Sequence, residues 1–351
     1  MARKTDRVFQ TTQEDIEKIN PDNIALLDDF IEYYIATDHS PKSVVVTKSN
    51  LLIFFTYVLK NLKNRHFAKL KRKDYLQYQS FLLSNGLSPS RIRALKSSIS
   101  SLSLYVEHMV LDDLEEDDDE YEVWKKWKNV INSIPSPKNE AVRKKTVLED
   151  EDVQKLLDML VEQKKYQHAC ALALAWASGS RKSELVLFKK DFFDAKHTIF
   201  DGALWLTPEP IRTKGAGVNG KQLQRYVLVS KFKKYLDLWL EERERLGIES
   251  EWLFVKKNRY GYQQMKESTL TSYTNLFSKI LKCDFYFHCM RHQFVTSLIE
   301  LGLPSQAVVE IIGWSSDLTS IYNDKKGTQT LSKFFNGGEI VAPQQKSLAD
   351  L

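Results

Sequence analysis

The chain has 351 residues, a length typical of two domains. Apolar residues make up 42% of the sequence and charged residues 28%, the balance of a soluble globular protein. No apolar run approaches the roughly 20 residues that a membrane-spanning helix needs, and the basic N-terminus lacks the apolar stretch of a secretory signal. We therefore expect a soluble protein with no membrane partner.

The net charge of +5 is small, but the charges are unevenly distributed. Residues 112–122 hold nine acidic and no basic residues, so the rest of the chain carries a larger positive excess. Two basic bodies separated by an acidic strip are compatible with binding of a polyanion such as DNA. An ordinary solvated surface with an acidic linker explains the same pattern, and charge alone leaves both explanations open.

The cysteines are few and scattered. Cys170, Cys283 and Cys289 form no CxxC pair, which argues against a zinc site and a disulfide framework. An odd, sparse count suits a reducing cytoplasm. We expect Cys283 and Cys289 to be buried thiols, because their neighbours are apolar.

The first third of the chain has the periodicity of amphipathic helices. Ser-Pro pairs begin two of these helices, and Asn85-Gly86 ends another. Short loops between such helices predict a compact helical domain over residues 20–111, preceded by an N-terminal extension at 1–19. The predicted helices cover residues 22–36, 41–59, 72–83 and 89–110.

Residues 112–146 are predicted to form a linker, because charge blocks and paired prolines punctuate domains. Trp124 and Trp127 are too apolar for a free tether, so part of the stretch is expected to pack. A second domain is expected at 147–335, followed by a tail at 336–351.

The second domain is predicted to be mainly α-helical with a small antiparallel sheet. A helix at 150–162 is followed by a buried helix at 167–177, which is apolar all round. The glycine-rich turn between Gly215 and Gly220 predicts a hairpin whose strands begin at Ile211 and end at Val229. Further strands are expected at residues 197–200 and 203–206, and the chain returns to helix from Lys231 onward.

Four separated segments of this domain carry residues suited to phosphoryl transfer. They are Ala177–Leu185 with Arg181 and Glu184, the segment Arg212-Thr-Lys214-Gly215 of the hairpin, the His288-Cys-Met-Arg291-His292 block, and Gly313-Trp314 followed by Tyr322.

Phosphodiester transfer requires neutralisation of charge on the non-bridging oxygens, and an arginine fork grips two oxygens at once. It also requires a nucleophile and groups that move protons. A tyrosine that attacks phosphorus forms an ester that stores the bond energy, so no ATP is needed for resealing. The side chains of the four segments could fill every one of these roles without a metal. His288 and Arg291, three apart, share a helix face. A metal site at His288 and His292 would lack a usual third ligand.

These blocks resemble the tyrosine recombinase, or phage integrase, family. The family's G-x-R-x-S-E-L block matches Gly179–Leu185, its hairpin lysine matches Lys214, and its H-x-x-R-H block matches residues 288–292. The family's Gly-His or Gly-Trp block matches Gly313-Trp314, with tryptophan as in the Cre-like variant, and its final tyrosine matches Tyr322. The likeness covers about residues 20–335 and is strongest over 177–322.

The resemblance implies a reaction and a role for each matched residue. Tyr322 would attack the scissile phosphate to form a 3′-phosphotyrosyl link, and Lys214 would protonate the departing 5′-hydroxyl, with Lys221 as a rival for that role. Arg181 and Arg291 would clamp the phosphate, while Glu184 and His292 would support the site. His288 would assist proton transfer, and Trp314 would donate its indole N–H or pack the site. No cofactor is implied.

The resemblance also implies an architecture and partners. The family fold is a C-shaped clamp of a helical core-binding domain and a catalytic domain around duplex DNA at a specific site. Four protomers would assemble on two sites, with the segment after Tyr322 reaching a neighbour. The protein would act in a bacterial cytoplasm, at the nucleoid. Independently of the resemblance, short polar and basic side chains on helices suit groove and phosphate contacts, although an ordinary exposed surface explains any one of them as well. The candidate DNA contacts are Lys42, Ser43, Lys48, Arg91, Arg93, Lys96 and Arg212.

One departure from the family pattern leaves an alternative open. Tyr322 comes eight residues after Trp314, whereas the family spacing is usually nine. Loss of one residue within a helix rotates the remainder of that helix by about 100°. A loop at residues 315–317 could absorb the difference. Otherwise the chain would be a sequence-specific DNA-binding regulator, such as a phage repressor, that keeps the fold without cutting DNA.

Overall fold

The computed structural model describes residues 11–116, 121–138, 146–215 and 217–316, with the backbone of Phe335–Asn336 and Glu339–Ile340. The chain divides into two compact units, Met1–Lys144 with Gly217–Asn219, and Lys145–Ala216 with Gly220–Leu351. Each unit has its own hydrophobic core.

The first unit is helical, as predicted. Side chains of Asn20, Ser40 and Ser88 cap three helices that each begin with proline, whose fixed φ suits the first helical turn. The fourth predicted helix ends earlier than expected, and a π-helical turn comes after it. The elements are α1 (Gln13–Lys18), α2 (Pro21–Ala36), α3 (Pro41–Asn61), a 3₁₀ turn (Phe67–Lys69), α4 (Arg72–Ser84), α5 (Pro89–Tyr105) and the π turn (Val106–Val110).

Helix α3 supplies much of the first core. Leu51, Phe55 and Val58 are fully buried on one of its faces, against α2 and α5. By length and composition alone this helix could cross a bilayer. Its apolar face instead packs inside the first unit, which accounts for its hydropathy.

Much of the segment expected to be a linker packs against the first unit. Helix α6 (Tyr121–Trp124) and a 3₁₀ turn (Ile131–Ser133) belong to the first unit. Trp124 and Trp127 are buried in its core, in edge-on contact with each other. This packing explains why two tryptophans stand in a stretch with so many charges.

The second unit is built around α8 (Tyr166–Ser178), a helix buried on all sides and packed against α7 (Asp150–Glu162), α10 (Val229–Arg245) and α12 (Phe287–Glu300). The sequence prediction of a mainly helical unit with small antiparallel sheets is confirmed. Its helices are α7 (Asp150–Glu162), α8 (Tyr166–Ser178), α9 (Lys182–Leu185), α10 (Val229–Arg245), α11 (Glu267–Leu281), α12 (Phe287–Glu300) and α13 (Ser305–Ile312), with 3₁₀ turns at Lys190–Phe193 and Ala195–His197.

The strands of the second unit are short and antiparallel. They are β1 (Thr198–Ile199), β2 (Leu204–Leu206), β3 (Ile211–Thr213), β4 (Lys221–Leu223), β5 (Tyr226–Leu228), β6 (Val255–Asn258), β7 (Gly261–Gln264), β8 (Phe335–Asn336) and β9 (Glu339–Ile340). Strands β1, β2 and β5 form a three-stranded sheet in that order, and β3 pairs with β4, β6 with β7 and β8 with β9.

Two sequence predictions in this region were wrong. The strand that begins at Ile211 pairs with Lys221–Leu223, not with the stretch that ends at Val229. That later stretch, β5, pairs with β2 instead, so Leu204 faces Leu228. The β6–β7 hairpin falls where only helix was expected.

Of the cysteines, Cys289 is buried as expected, whereas Cys283 is only partly so.

Candidate active site

The turn after α8 delivers Arg181. Gly179 ends the helix in the left-handed conformation, with φ of 57°, which glycine adopts without strain. A Cβ at this position would lie 2.6 Å from Cδ1 of Phe294 in α12. Glycine is therefore required both by the backbone angle and by the close approach of α12, and Arg181 stands two residues later.

Arg181 is held by Glu184 across the first turn of α9. The Arg181 backbone N–H donates to Glu184 Oε2 at 3.0 Å, and Nη1 donates to Oε1 at 2.8 Å. The Glu184 side chain is fully buried, while that of Arg181 is 29% exposed. One carboxylate thus fixes both the backbone and the guanidinium of Arg181, which keeps an accessible side for a ligand.

Arg291 reaches the same turn from α12. Its side chain is fully buried, and Nη1 donates to the carbonyl oxygen of Gly179 at 2.8 Å. Its guanidinium carbon lies 5.7 Å from the centre of the Trp314 ring. Residues far apart in the sequence, Arg181, Arg291 and Trp314, are therefore connected through the Gly179 turn.

The two histidines of α12 differ in exposure. His288 is exposed, whereas His292 is 8% exposed. Their ring centres lie 5.1 Å apart and the rings are nearly perpendicular. His288 can therefore reach a ligand in solution, and His292 is a packed neighbour. In the parts of the chain that the structure describes, no cluster of three His, Cys, Asp or Glu residues could hold a metal ion.

Trp314 is placed by the end of α13. Gly313 caps this helix with φ of 72°, and the backbone N–H of Trp314 donates to the Val309 carbonyl at 3.0 Å. A Cβ on Gly313 would lie 2.5 Å from Cδ1 of Leu223 in β4. The Gly-Trp block therefore lies against the β3–β4 hairpin, and the Trp314 ring is buried.

The hairpin carries both lysine candidates. Lys214 is exposed directly after β3, while the Nζ of Lys221 in β4 lies 3.4 Å from the Gly313 carbonyl oxygen. The side chain of Arg212, also exposed, passes over Gly220, whose Cβ would meet its Nε at 3.0 Å. Tyr322 lies outside the described residues.

Arg225 is part of this constellation, although the sequence motifs did not mark it. It lies in the chain segment between β4 and β5, and its side chain is fully buried. Nη1 donates to the Ile312 carbonyl at 2.8 Å and Nη2 to the Ser178 carbonyl at 3.4 Å, and Nη2 lies 3.7 Å from Glu184 Oε2. Burial lowers the pKa of the guanidinium, an effect that Glu184 opposes. Arg225 belongs to none of the four matched blocks, so no sequence signal pointed to it.

The candidate DNA contacts of the first unit fall into two groups. Lys42 and Ser43 are exposed at the start of α3, where the Ser43 N–H donates to the Ser40 cap. The other four have partners inside the unit: Lys48 pairs with Asp28, Arg91 donates to Asn50, Arg93 to the Pro137 carbonyl, and Lys96 to the Ile134 carbonyl.

Comparison with known proteins gives consistent matches. The phage integrase family model matches residues 146–328, more than half of the chain. The SPbeta prophage-derived recombinase-like protein YomM of Bacillus subtilis (strain 168) is 29% identical over 294 residues, which cover 83% of each protein. The integrase of Salmonella phage P22 is 23% identical over 196 residues, which cover 53% of this chain and 44% of that protein.

Solved structures share the fold. A lambda integrase dimer bound to a COC′ core site has a TM-score of 0.61 at 15% identity, covering 86% of this chain and 95% of that one. The Tn1549 transposon integrase in complex with circular intermediate DNA has a TM-score of 0.57 at 16% identity, covering 88% and 97%. From the family match, with the recombinase-like relative and the shared fold in agreement, we conclude that the chain belongs to the phage integrase family, a family of site-specific recombinases.

Proposed function

We propose that this recombinase cleaves and rejoins DNA with Tyr322 as its nucleophile. The observation that carries the proposal is the meeting of two arginines at one turn. Arg181 lies just after Gly179, and Arg291 donates to the Gly179 carbonyl. Both arginines are anchored at this turn, and a pair of guanidinium groups suits the non-bridging oxygens of a phosphate in the transition state.

The proposed chemistry is balanced without a cofactor. The Tyr322 phenol oxygen attacks phosphorus, the bond to the 5′-oxygen breaks, and a 3′-phosphotyrosyl ester forms. Lys214 gives the departing oxygen its proton, and His288, exposed on α12, assists proton transfer by accepting the proton that the phenol loses. The reverse attack by a 5′-hydroxyl restores a DNA phosphodiester and releases the tyrosine. Trp314, packed beside Arg291, shapes the phosphate site.

The proposed substrate is duplex DNA with a specific sequence. Lys42, Ser43 and Arg212 are exposed and could approach the backbone or the grooves. We assign a lesser role to Arg93 and Lys96, because both already donate to carbonyl groups of the first unit. A tetramer on two sites, acting at the nucleoid of a bacterial cytoplasm, is the assembly that fits strand exchange.

A second candidate function comes from the spacing between Trp314 and Tyr322, one residue shorter than the usual family spacing. If that spacing leaves Tyr322 misaimed, the chain binds its site without cutting, as a regulator. The two functions differ in one product, a covalent bond between protein and DNA.

A nicked suicide substrate distinguishes the two functions. The site is first mapped by footprinting on DNA that flanks the gene, and the nick is placed so that the cleaved strand loses a short fragment and cannot be resealed. We expect wild-type protein to form a covalent adduct, Tyr322→Phe to form none, and Tyr260→Phe, at an exposed tyrosine of the second unit, to behave as wild type. Tight specific binding without an adduct would establish the regulator instead.

A further inference from the structure

We infer that Arg225 is a positioning residue for strand cleavage: it holds Glu184, and through Glu184 the guanidinium of Arg181, at the scissile phosphate. The inference rests on the proposed function. Arg225 itself has no exposed surface, so it acts through the groups that it contacts and not on the DNA.

The contacts of Arg225 join three separate parts of the site. One nitrogen donates to the Ile312 carbonyl at the end of α13, directly before the Gly313-Trp314 block. The other donates to the Ser178 carbonyl at the end of α8 and lies 3.7 Å from Glu184 Oε2. Arg225 therefore ties the chain between β4 and β5 to the turns that carry Arg181 and Trp314.

The charge of Arg225 is compensated by the groups around it. A buried cation is costly unless opposite charge lies close. Glu184 supplies a full negative charge, and the carbonyls of Ser178 and Ile312 are the partly negative ends of two helices. The planar fork allows one side chain to reach both helix ends at once, which a lysine ammonium does less well.

Glu184 shares its two oxygens between the arginines. Oε1 accepts from Arg181 Nη1, while Oε2 accepts from the Arg181 backbone and faces Arg225. Removal of Arg225 would leave one side of this buried carboxylate without its cation and allow it to shift. Arg181, the only partly exposed member of the three, would shift with it.

A substrate that needs less charge neutralisation tests this role. In a methylphosphonate, a methyl group replaces one non-bridging oxygen, so the reacting phosphorus group is neutral and depends less on Arg181. Adduct formation is measured on suicide duplexes with either the phosphodiester or the methylphosphonate at the cleavage position. The proteins are full-length wild type, Arg225→Met, Arg225→Lys and Arg243→Met. Arg243, in α10, is a matched control because it is also buried and also donates to backbone carbonyls.

For Arg225→Met we expect about a 100-fold slower cleavage of the phosphodiester, the size of effect that a misplaced catalytic group produces. The loss relative to wild type should be markedly smaller on the methylphosphonate, and Arg225→Lys should be intermediate. Arg243→Met should lose the same factor on both substrates, since any effect it has comes through stability.

The outcomes separate the inference from the proposed function. An equal loss for Arg225→Met on both substrates overturns the positioning role. If circular dichroism shows that Arg225→Met does not fold, the two substrates are compared with Arg225→Lys. An equal loss of cleavage rate on both substrates for Arg225→Lys would also overturn the positioning role. If wild-type protein forms no adduct with the phosphodiester, the proposed function fails and the inference fails with it.

Discussion

Gly179 is the residue on which the geometry of the site depends most directly. Its carbonyl accepts from Arg291, and its left-handed backbone turns the chain toward Arg181. Two different costs would attend any side chain here, one from the backbone angle and one from Phe294. The two costs can be separated, because other glycines of the chain carry only the first.

We predict that Gly179→Ala lowers the free energy of unfolding by about 3 kcal/mol, from left-handed strain and overlap with Phe294 together. Gly86→Ala is the control. Gly86 lies just after α4 with φ of 75°, and a Cβ there would meet nothing within 4 Å, so about 1–2 kcal/mol is expected. Urea unfolding measures both values. Equal losses would mean that the contact with Phe294 relaxes at little cost.

At the scale of elements, Asp150 connects four helices of the second unit. It lies at the start of α7 and accepts from Trp176 in α8 and from Gln293 in α12, beside His292. Its other oxygen lies 3.1 Å from the Lys231 ammonium in α10. This group fixes α12, and with it Arg291, against the buried α8.

This connection predicts an acid sensitivity. Burial alone would raise the pKa of the Asp150 carboxyl, but Lys231 and the two hydrogen bonds outweigh burial and leave the pKa below its ordinary value. A depressed carboxyl pKa stabilises the fold above the unfolded-state pKa, and this stability is lost as the pH falls through the folded-state pKa. We expect Asp150→Asn to be less stable than wild type near neutral pH and to lose less stability on acidification below about pH 4.

The comparison is made by urea unfolding across that range. Asp158→Asn serves as the control, because Asp158 lies on the same helix and accepts only from Gln154 among the contacts described. It should keep the wild-type dependence on pH. If the free energy of unfolding of Asp150→Asn falls with pH as steeply as that of wild type, the loss of stability in acid comes from other carboxyl groups.

How far the elements could be predicted depends on how local their signals are. The helices of the first unit were found because Pro41 and Pro89 come after serine caps and apolar residues recur with helical spacing. The partner of β3 could not be predicted from such local signals. Strand β5 pairs with β2, where Trp205 faces Val227, and is therefore not the partner of β3. A distant contact of this kind leaves no trace in a local window.

The site shows the same division. The sequence identifies Arg181 and Arg291 because each lies in a recognisable block, and Glu184 because it stands three residues from Arg181. Arg225 was missed because its partners, Ser178 and Ile312, are reached through backbone carbonyls, which any sequence provides. These contacts form only once the ends of two helices are brought together.

At the scale of the whole molecule, the two hydrophobic cores are separate. Phe55 is fully buried in the first and Phe232 in the second, where it contacts Phe193 and Trp205. Units with their own cores are able to fold as separate cooperative blocks. Loss of one core should then leave the other unit folded.

We therefore predict that heating produces two calorimetric transitions. Phe55→Ala, which should cost about 3–5 kcal/mol by leaving a cavity, is expected to lower only one of them. Phe232→Ala, the same substitution at an equally buried ring, is expected to lower only the other. Because Phe55 lies outside the unit that carries Arg181 and Arg291, warming the first variant past its lowered transition should leave those arginines in a folded unit. A single transition that both substitutions lower equally would mean that the units unfold as one.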